Sequence, residues 1–173
     1  MWPAMPDAYS LRAFGAADLP MLADWLATPH LRDWWGDPAT ELGLLTEDMN
    51  NPLMDQQIGM LSDRAFAYLQ SYPCKAWGAP QFGDRPDGSH SVDICVGPPE
   101  MLGRGHGAAM LRLYAQNLIA RGATDIVIDP DPGNERAVRC YRRAGFRDVA
   151  IRPCEDGDPV LVMDFHPEPA FSS

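Results

Sequence analysis

Hydrophobic and polar positions along this chain switch repeatedly between a period of two and a period near 3.6, the signatures of strand and helix. Tyr9 to Phe14 reads as a short first strand. Ala17 to Thr28 reads as a helix with Leu19, Leu22, Ala23 and Leu26 on one face, and Pro29 is expected to stop it. His30 to Gly36 follows as a short aromatic turn of helix, and Pro38 to about Met49 as another helix. Gln56–Leu61 and Ala65–Tyr72 look like two strands joined by a tight turn at Ser62–Asp63. Pro73 to Ser89 is a long loop rich in Gly, Pro and Asp, with an exposed-looking Trp77, and loops of that length more often serve function than not. His90 to Val96 is a strong strand ended by Gly97-Pro98-Pro99. A long helix then opens in LGRGHGA and runs to about Arg121, burying Met110, Leu111, Tyr114 and Leu118, with Gly122 as its stop. Thr124 to Ile128 is an apolar strand, Asn134 to Ala144 a helix closed by Gly145. Two last strands, Phe146–Arg152 and Val160–Phe165, flank the turn EDGDP. The order predicts a mixed α/β sheet in one layered domain, residues 1–173 with a core at about 9–165.

Composition narrows the function classes. The chain has 173 residues, 46% of them hydrophobic, and a formal net charge of −10, enough for one sizeable core. No uninterrupted apolar run approaches the roughly 18 residues of a membrane-spanning helix. The opening MWPAMPDAYS lacks the basic start and apolar stretch of a secretory signal. An acidic chain is a poor general binder of nucleic acid. Cys74, Cys95, Cys140 and Cys154 have no metal-ligand spacing and read as reduced thiols, pointing to the cytoplasm; the histidines form no metal set, so no metal is expected.

The distribution of charge says more than its total. Residues 1–100 carry 14 acidic and 5 basic side chains, whereas 101–152 carry nine arginines against five acids. The last 21 residues add five acids and no base. A cationic block inside an acidic frame suits two ligands of opposite charge, although charged residues that merely solvate helix faces produce the same count.

The first chemistry-bearing segment is Leu102-Gly103-Arg104-Gly105-His106-Gly107-Ala108. Three alternate glycines before a long helix let the backbone approach a ligand and aim several N–H groups, plus the positive helix end, at one point. A phosphate or pyrophosphate is the expected occupant, with Arg104 adding a charge-assisted contact. Such a turn can also be purely structural. A Walker A loop is absent, and the dinucleotide fingerprint fits poorly.

The second segment is DPDPGNERAVRCYRRAGF, residues 129–146. It resembles the N-x-x-A-x-x-x-Y-x-x-x-G-F signature of the Gcn5-related N-acetyltransferases, and LGRGHGA resembles their acyl-CoA pyrophosphate loop. Leu102 stands where that loop usually opens with Gln or Arg. Beyond the superfamily, MLADWLATPHLRDWWGDP, AFAYLQSY, SVDICV and the 129–146 segment look like the aminoglycoside 6′-N-acetyltransferases, in the branch close to the siderophore hydroxylysine acetyltransferases. The resemblance implies a twisted, mostly antiparallel mixed sheet whose fourth and fifth strands splay apart to admit a pantetheine arm. It also implies acetyl-CoA as acyl donor, held by Leu102 to Ala108, Asn134, Ala137 and Tyr141.

An acceptor amine is mostly protonated at neutral pH, so acetyl transfer needs a proton acceptor beside the nucleophile. Asp93 is the first candidate, because the resemblance places the general base on this strand; a strand-edge turn or salt bridge is the plainer reading. Asp129, at the end of the next strand, is implied to bind the acceptor or to act as a second base. Tyr141 could protonate or hydrogen-bond the departing thiolate, and Asn134 could hold pantetheine amides while capping its helix. A backbone N–H on the Cys95–Val96 stretch is the natural donor to the oxygen of the tetrahedral intermediate. Trp34, Trp35, Tyr72 and Trp77 could floor an acceptor pocket, aromatic faces suiting sugars and cations.

The expected activity is acetylation of a small cationic amine, foremost the 6′-amine of an aminoglycoside, by direct attack on the thioester. Siderophore precursors, polyamines and protein amines are alternative acceptors, and a non-catalytic acyl-CoA sensor is the reading from another class. A monomer or a homodimer paired through the strip after Pro159 are both compatible with the sequence.

Overall fold

The computed structural model describes residues 9–167. β1 (Tyr9–Ala13) leads through a 3-10 turn at Ala16–Asp18 into α1 (Leu19–Leu26), α2 (Pro29–Trp35) and α3 (Pro38–Asp48). β2 (Asp55–Leu61) and β3 (Arg64–Pro73) follow, then β4 (Ser89–Val96), α4 (His106–Ala120), β5 (Asp125–Ile128), α5 (Glu135–Ala144), β6 (Phe146–Pro153) and β7 (Pro159–Phe165). The expected elements are all present, with two local differences. The first helix starts at Leu19 behind a separate 3-10 turn, and Pro29 opens α2 as much as it stops α1. Thr28 takes extended geometry (ψ 145°) as proline requires of the residue before it, and that geometry is also what a helix N-cap needs.

The seven strands hydrogen-bond in the order β1-β2-β3-β4-β5-β7-β6. β1 and β2 pair antiparallel, as do β5 with β7 and β6 with β7. β4 and β5 are the parallel pair, and their register covers only Ser89–Ser91 against Asp125–Val127. β4 continues for five residues beyond that register.

The chain divides into two compact units, one formed by the residues up to Gln70 with Ile94–Met110, the other by Ser71–Asp93 with the residues from Leu111 onward. The first unit has a core of Leu22, Trp25, Leu26, Leu31, Leu45, Ile58, Tyr68 and Cys95, against which Trp35 packs. In the second, Cys74, Ala79, Phe82, Val127 and Val162 form a buried cluster. Gly145 closes α5 in left-handed geometry (φ 112°), returning its N–H to carbonyls of the last turn, which a side chain would resist. Among the described residues no helix is long and apolar enough to cross a membrane.

Candidate active site

In the first unit, β4 ends at Val96, and a 3-10 turn at Pro99–Met101 carries the chain into the glycine segment. Gly103 (φ 71°) and Gly105 (φ 85°) both sit in the left-handed region, so glycine is required there by the turn itself. α4 starts immediately after, at His106, and the first N–H groups of a helix have no intrahelical acceptor. The donors thus point out of the helix end where its dipole is positive, a geometry that fits a pyrophosphate. His106 is held by the Tyr9 hydroxyl, 2.7 Å from its Nδ1, and by the rings of Tyr9 and Phe66. Burial and the nearby Arg104 charge lower its imidazole pKa from the ordinary histidine value. Leu102 is half-buried and extended, and Arg104 is exposed.

The end of β4 is committed more tightly than expected. Cys95 is buried in the core, and the Val96 carbonyl accepts a hydrogen bond from His30 Nε2 at 2.8 Å. His30 was not among the expected site residues. It fixes the strand end on which an oxyanion donor was anticipated. Of the adjacent tryptophans, Trp35 turns its ring edge to Tyr68 in the core, whereas Trp34 remains half exposed. Of these two, Trp34 keeps the more open face for a ligand.

The second unit gathers the acidic groups. Parallel pairing of β4 and β5 ends at Ser91 opposite Val127, and two residues further on lie Asp93, still on β4, and Asp129, just past the end of β5. The alternation of strand side chains therefore sends both carboxylates from equivalent positions at the carboxyl end of a parallel pair. Tyr72 joins them from β3 and Glu155 from the β6–β7 turn, both coupled electrostatically to Asp129. Burial, then the charge of Asp93, raises the Asp129 carboxyl to about 7, with Gln81 pulling the other way. The same burial and the Asp93 charge push the Tyr72 phenol far above its ordinary value. Tyr72 also meets Trp77 edge-on, with ring centroids 4.9 Å apart.

The 73–89 segment that joins β3 to β4 is firmly built. Arg85 donates through Nε and Nη2 to Asp125 at 2.9 and 2.7 Å and reaches Asp164 at 3.1 Å. All three side chains are largely buried, so losing one partner would leave a buried charge unpaired. Arg152 forks onto Asp84, and Phe82 enters the core. Gln81 donates through Nε2 to Asp129 at 3.1 Å and to Glu155 at 3.4 Å. Neither Gln81 nor Glu155 was anticipated, because their chemistry appears only when the loop and the far turn fold against β5.

On α5, Asn134 accepts from the Ala137 N–H through its side-chain oxygen, so the expected cap is present. Tyr141 lies about two turns further along and is half-buried. Asp131 makes a local turn to the Gly133 N–H rather than joining the acidic group. Arg142 is occupied by Asp148 and Arg139 lies near Glu135, so part of the cationic block serves the surface. No cluster of metal-ligating side chains is found among the described residues.

The raised Asp129 has a consequence for stability. Its carboxyl titrates near 3.8 when unfolded and near 7 when folded, so the folded state holds the extra proton. The fold is thus unaffected by this group below about pH 4 and loses stability as pH rises to about 7. Asp129→Asn is expected to raise stability by roughly 1–2 kcal/mol at about pH 8 and not at all at about pH 4. Thermal denaturation at the two pH values checks this; an equal gain at both would assign the effect to packing.

The strand order and the glycine turn heading α4 fit an acyltransferase of the kind that uses coenzyme A thioesters. Residues 15–152 match the Acetyltransferase (GNAT) domain family, and the chain belongs to that family. It is 30% identical over 166 residues to the aminoglycoside N(6′)-acetyltransferase type 1 of Klebsiella pneumoniae, covering 91% of this chain and 83% of that protein. The enzyme of the same name from Serratia marcescens gives the same figures. AAC(6′)-Ib in complex with paromomycin and acetyl-CoA matches with a TM-score of 0.80 at 29% identity, covering 92% of this chain and 93% of that one. Its complex with coenzyme A and kanamycin gives a TM-score of 0.79 at 28% identity, over 90% and 93% of the two chains.

Proposed function

We propose that this protein transfers the acetyl group of acetyl-CoA to the 6′-amine of an aminoglycoside. The observation that carries the acceptor reading is the concentration of Asp93, Asp129 and Glu155 around Tyr72 in one unit, in a chain 30% identical to enzymes of that name. A polycationic amino sugar offers several ammonium groups to such a cluster, and Tyr72 and Trp77 offer aromatic faces beside it.

The coenzyme supplies an activated acetyl thioester, so the chain itself has to bind, orient and move one proton. Gly103, Gly105 and the first turn of α4 would hold the pyrophosphate through backbone N–H groups, with Leu102, Arg104, His106, Gly107 and Ala108 shaping that turn. Asn134, Ala137, Cys95 and Val96 would flank the pantetheine through backbone and amide groups. Asp93 would take the proton from the acceptor ammonium as it becomes a nucleophile, while Asp129 and Trp34 would help to fix the acceptor. Tyr141 would hydrogen-bond the departing thiolate. Nothing in this scheme calls for a metal.

The test is release of coenzyme A thiol from acetyl-CoA with neomycin against paromomycin, which differ in carrying a 6′-amine or a 6′-hydroxyl. Release with neomycin alone is the expected result. Equal release would move the reacting amine elsewhere on the sugar. No release with either, despite acetyl-CoA binding, would overturn the acceptor assignment and favour a siderophore precursor, polyamine or protein amine.

A further inference from the structure

Gln81 is a neutral polar side chain that bridges two of the acids. It is only 3% exposed, its Nε2 donates to Asp129 and Glu155, and its Oε1 is buried without a hydrogen-bond partner among the described residues. A buried orphan acceptor is unfavourable, so a reason for keeping it is needed. The backbone around it is pinned. The Gln81 carbonyl accepts from Arg152 Nη1 at 3.0 Å, Arg152 also clamps Asp84, and the neighbouring Phe82 is locked in the core. With the backbone held, a turn about the last torsion is the smallest movement by which the side chain can respond to Asp129.

That torsion exchanges a double donor for an acceptor in the same place. With Asp129 ionised, the NH₂ group faces the carboxylate, as observed. With Asp129 protonated, a half-turn presents the orphan oxygen to the carboxylic acid proton. Leucine could do neither, and arginine or lysine would serve the ionised state alone. The groups that face Asp129 are otherwise of one sign or neutral: Asp93 from β4, Glu155 from the β6–β7 turn, and Tyr72 and Cys74 from β3 and its end. Gln81 is thus the side chain that favours the carboxylate, alongside a backbone hydrogen bond.

We propose that Gln81 is a positioning residue for the acceptor site, holding Asp129 through both of its protonation states and favouring the carboxylate that meets an incoming ammonium group. This rests on the reading of Asp129 as an acceptor-binding group. Removing the donor leaves only a backbone hydrogen bond to oppose burial, Asp93 and Glu155, so Asp129 should take up its proton at higher pH.

The experiment is a carboxyl-carbon NMR titration of the full chain labelled at aspartate, with Asp129→Asn assigning the signal, alongside pH profiles of kcat/KM for neomycin. Gln81→Leu, which keeps volume, is expected to raise the Asp129 midpoint by about one unit. The acid limb of kcat/KM should move with it, while kcat at about pH 9 stays within about twofold. Gln81→Glu keeps the shape, adds a charge and should move the midpoint further in the same direction, which preserves the test if the leucine variant does not fold. An unmoved midpoint, or a loss of activity equal at every pH, would overturn the proposal. If wild type does not acetylate neomycin, the acceptor assignment fails, and the titration still decides the link between Gln81 and Asp129.

Discussion

Asp93→Asn is expected to lower kcat for neomycin acetylation by about 10²–10⁴-fold, the usual contribution of a positioned general base. The amide keeps the size of the side chain and removes its ability to take a proton. An aminoglycoside amine enters mostly as ammonium, so the uncharged nucleophile would be scarce without a base at hand. Asp93 stands two residues past the last β4–β5 pair, and its charge is felt by both Tyr72 and Asp129. Acetyl-CoA affinity should be unchanged within about twofold, because the proposed base binds the acceptor side only. Coenzyme A thiol release and acetyl-CoA binding, measured on the same preparation, separate the two. If Asp93→Asn retains wild-type kcat and Asp129→Asn does not, the base is Asp129.

Gly97→Ala is expected to destabilise the protein by about 3 kcal/mol or more, a severe case of overpacking. A β-carbon at Gly97 would lie 2.1–2.3 Å from the indole atoms Cδ2, Cγ and Cε2 of Trp25, well inside contact distance. Neither partner has room to yield. Trp25 is buried in the core of the first unit, and the Gly97 N–H donates to the Phe66 carbonyl at 2.8 Å. For a chain of this length the melting temperature should fall by roughly 6–12 °C. Trp25→Ala combined with Gly97→Ala should cost clearly less than the two single changes added together. A melting temperature within about 2 °C of wild type would show that β4 can shift away from α1.

Much of this molecule was readable from local pattern. Period-two and period-3.6 runs gave the strands and helices because each pattern commits a face to burial wherever it lies. Gly103, Gly105 and Gly145 are legible for a similar reason, since their backbone conformations exclude most other residues. Pro29 was half legible: it was expected to end the first helix, but not to open the second one behind an extended Thr28. The 73–89 segment was legible only as a long connection. The anchors that make it rigid, Arg85 to Asp125 and Asp164 and Arg152 to Asp84, join residues tens of positions apart.

By itself the sequence determined the order of elements, the glycine turn heading α4 and the family signature on α5, all encoded by near neighbours. It also placed Asp93 on one strand and Asp129 at the end of the next. Only the tertiary structure decided that β4 and β5 run in a register that makes these two acids equivalent, and that Glu155 and Gln81 reach Asp129. It also decided that Trp35 belongs to the core while Trp34 does not, and that His30 holds the end of β4. The physical reason is the same throughout. A carboxyl's charge state and an amide's partner depend on what burial and non-local pairing bring within hydrogen-bond distance, and no spacing along the chain encodes that.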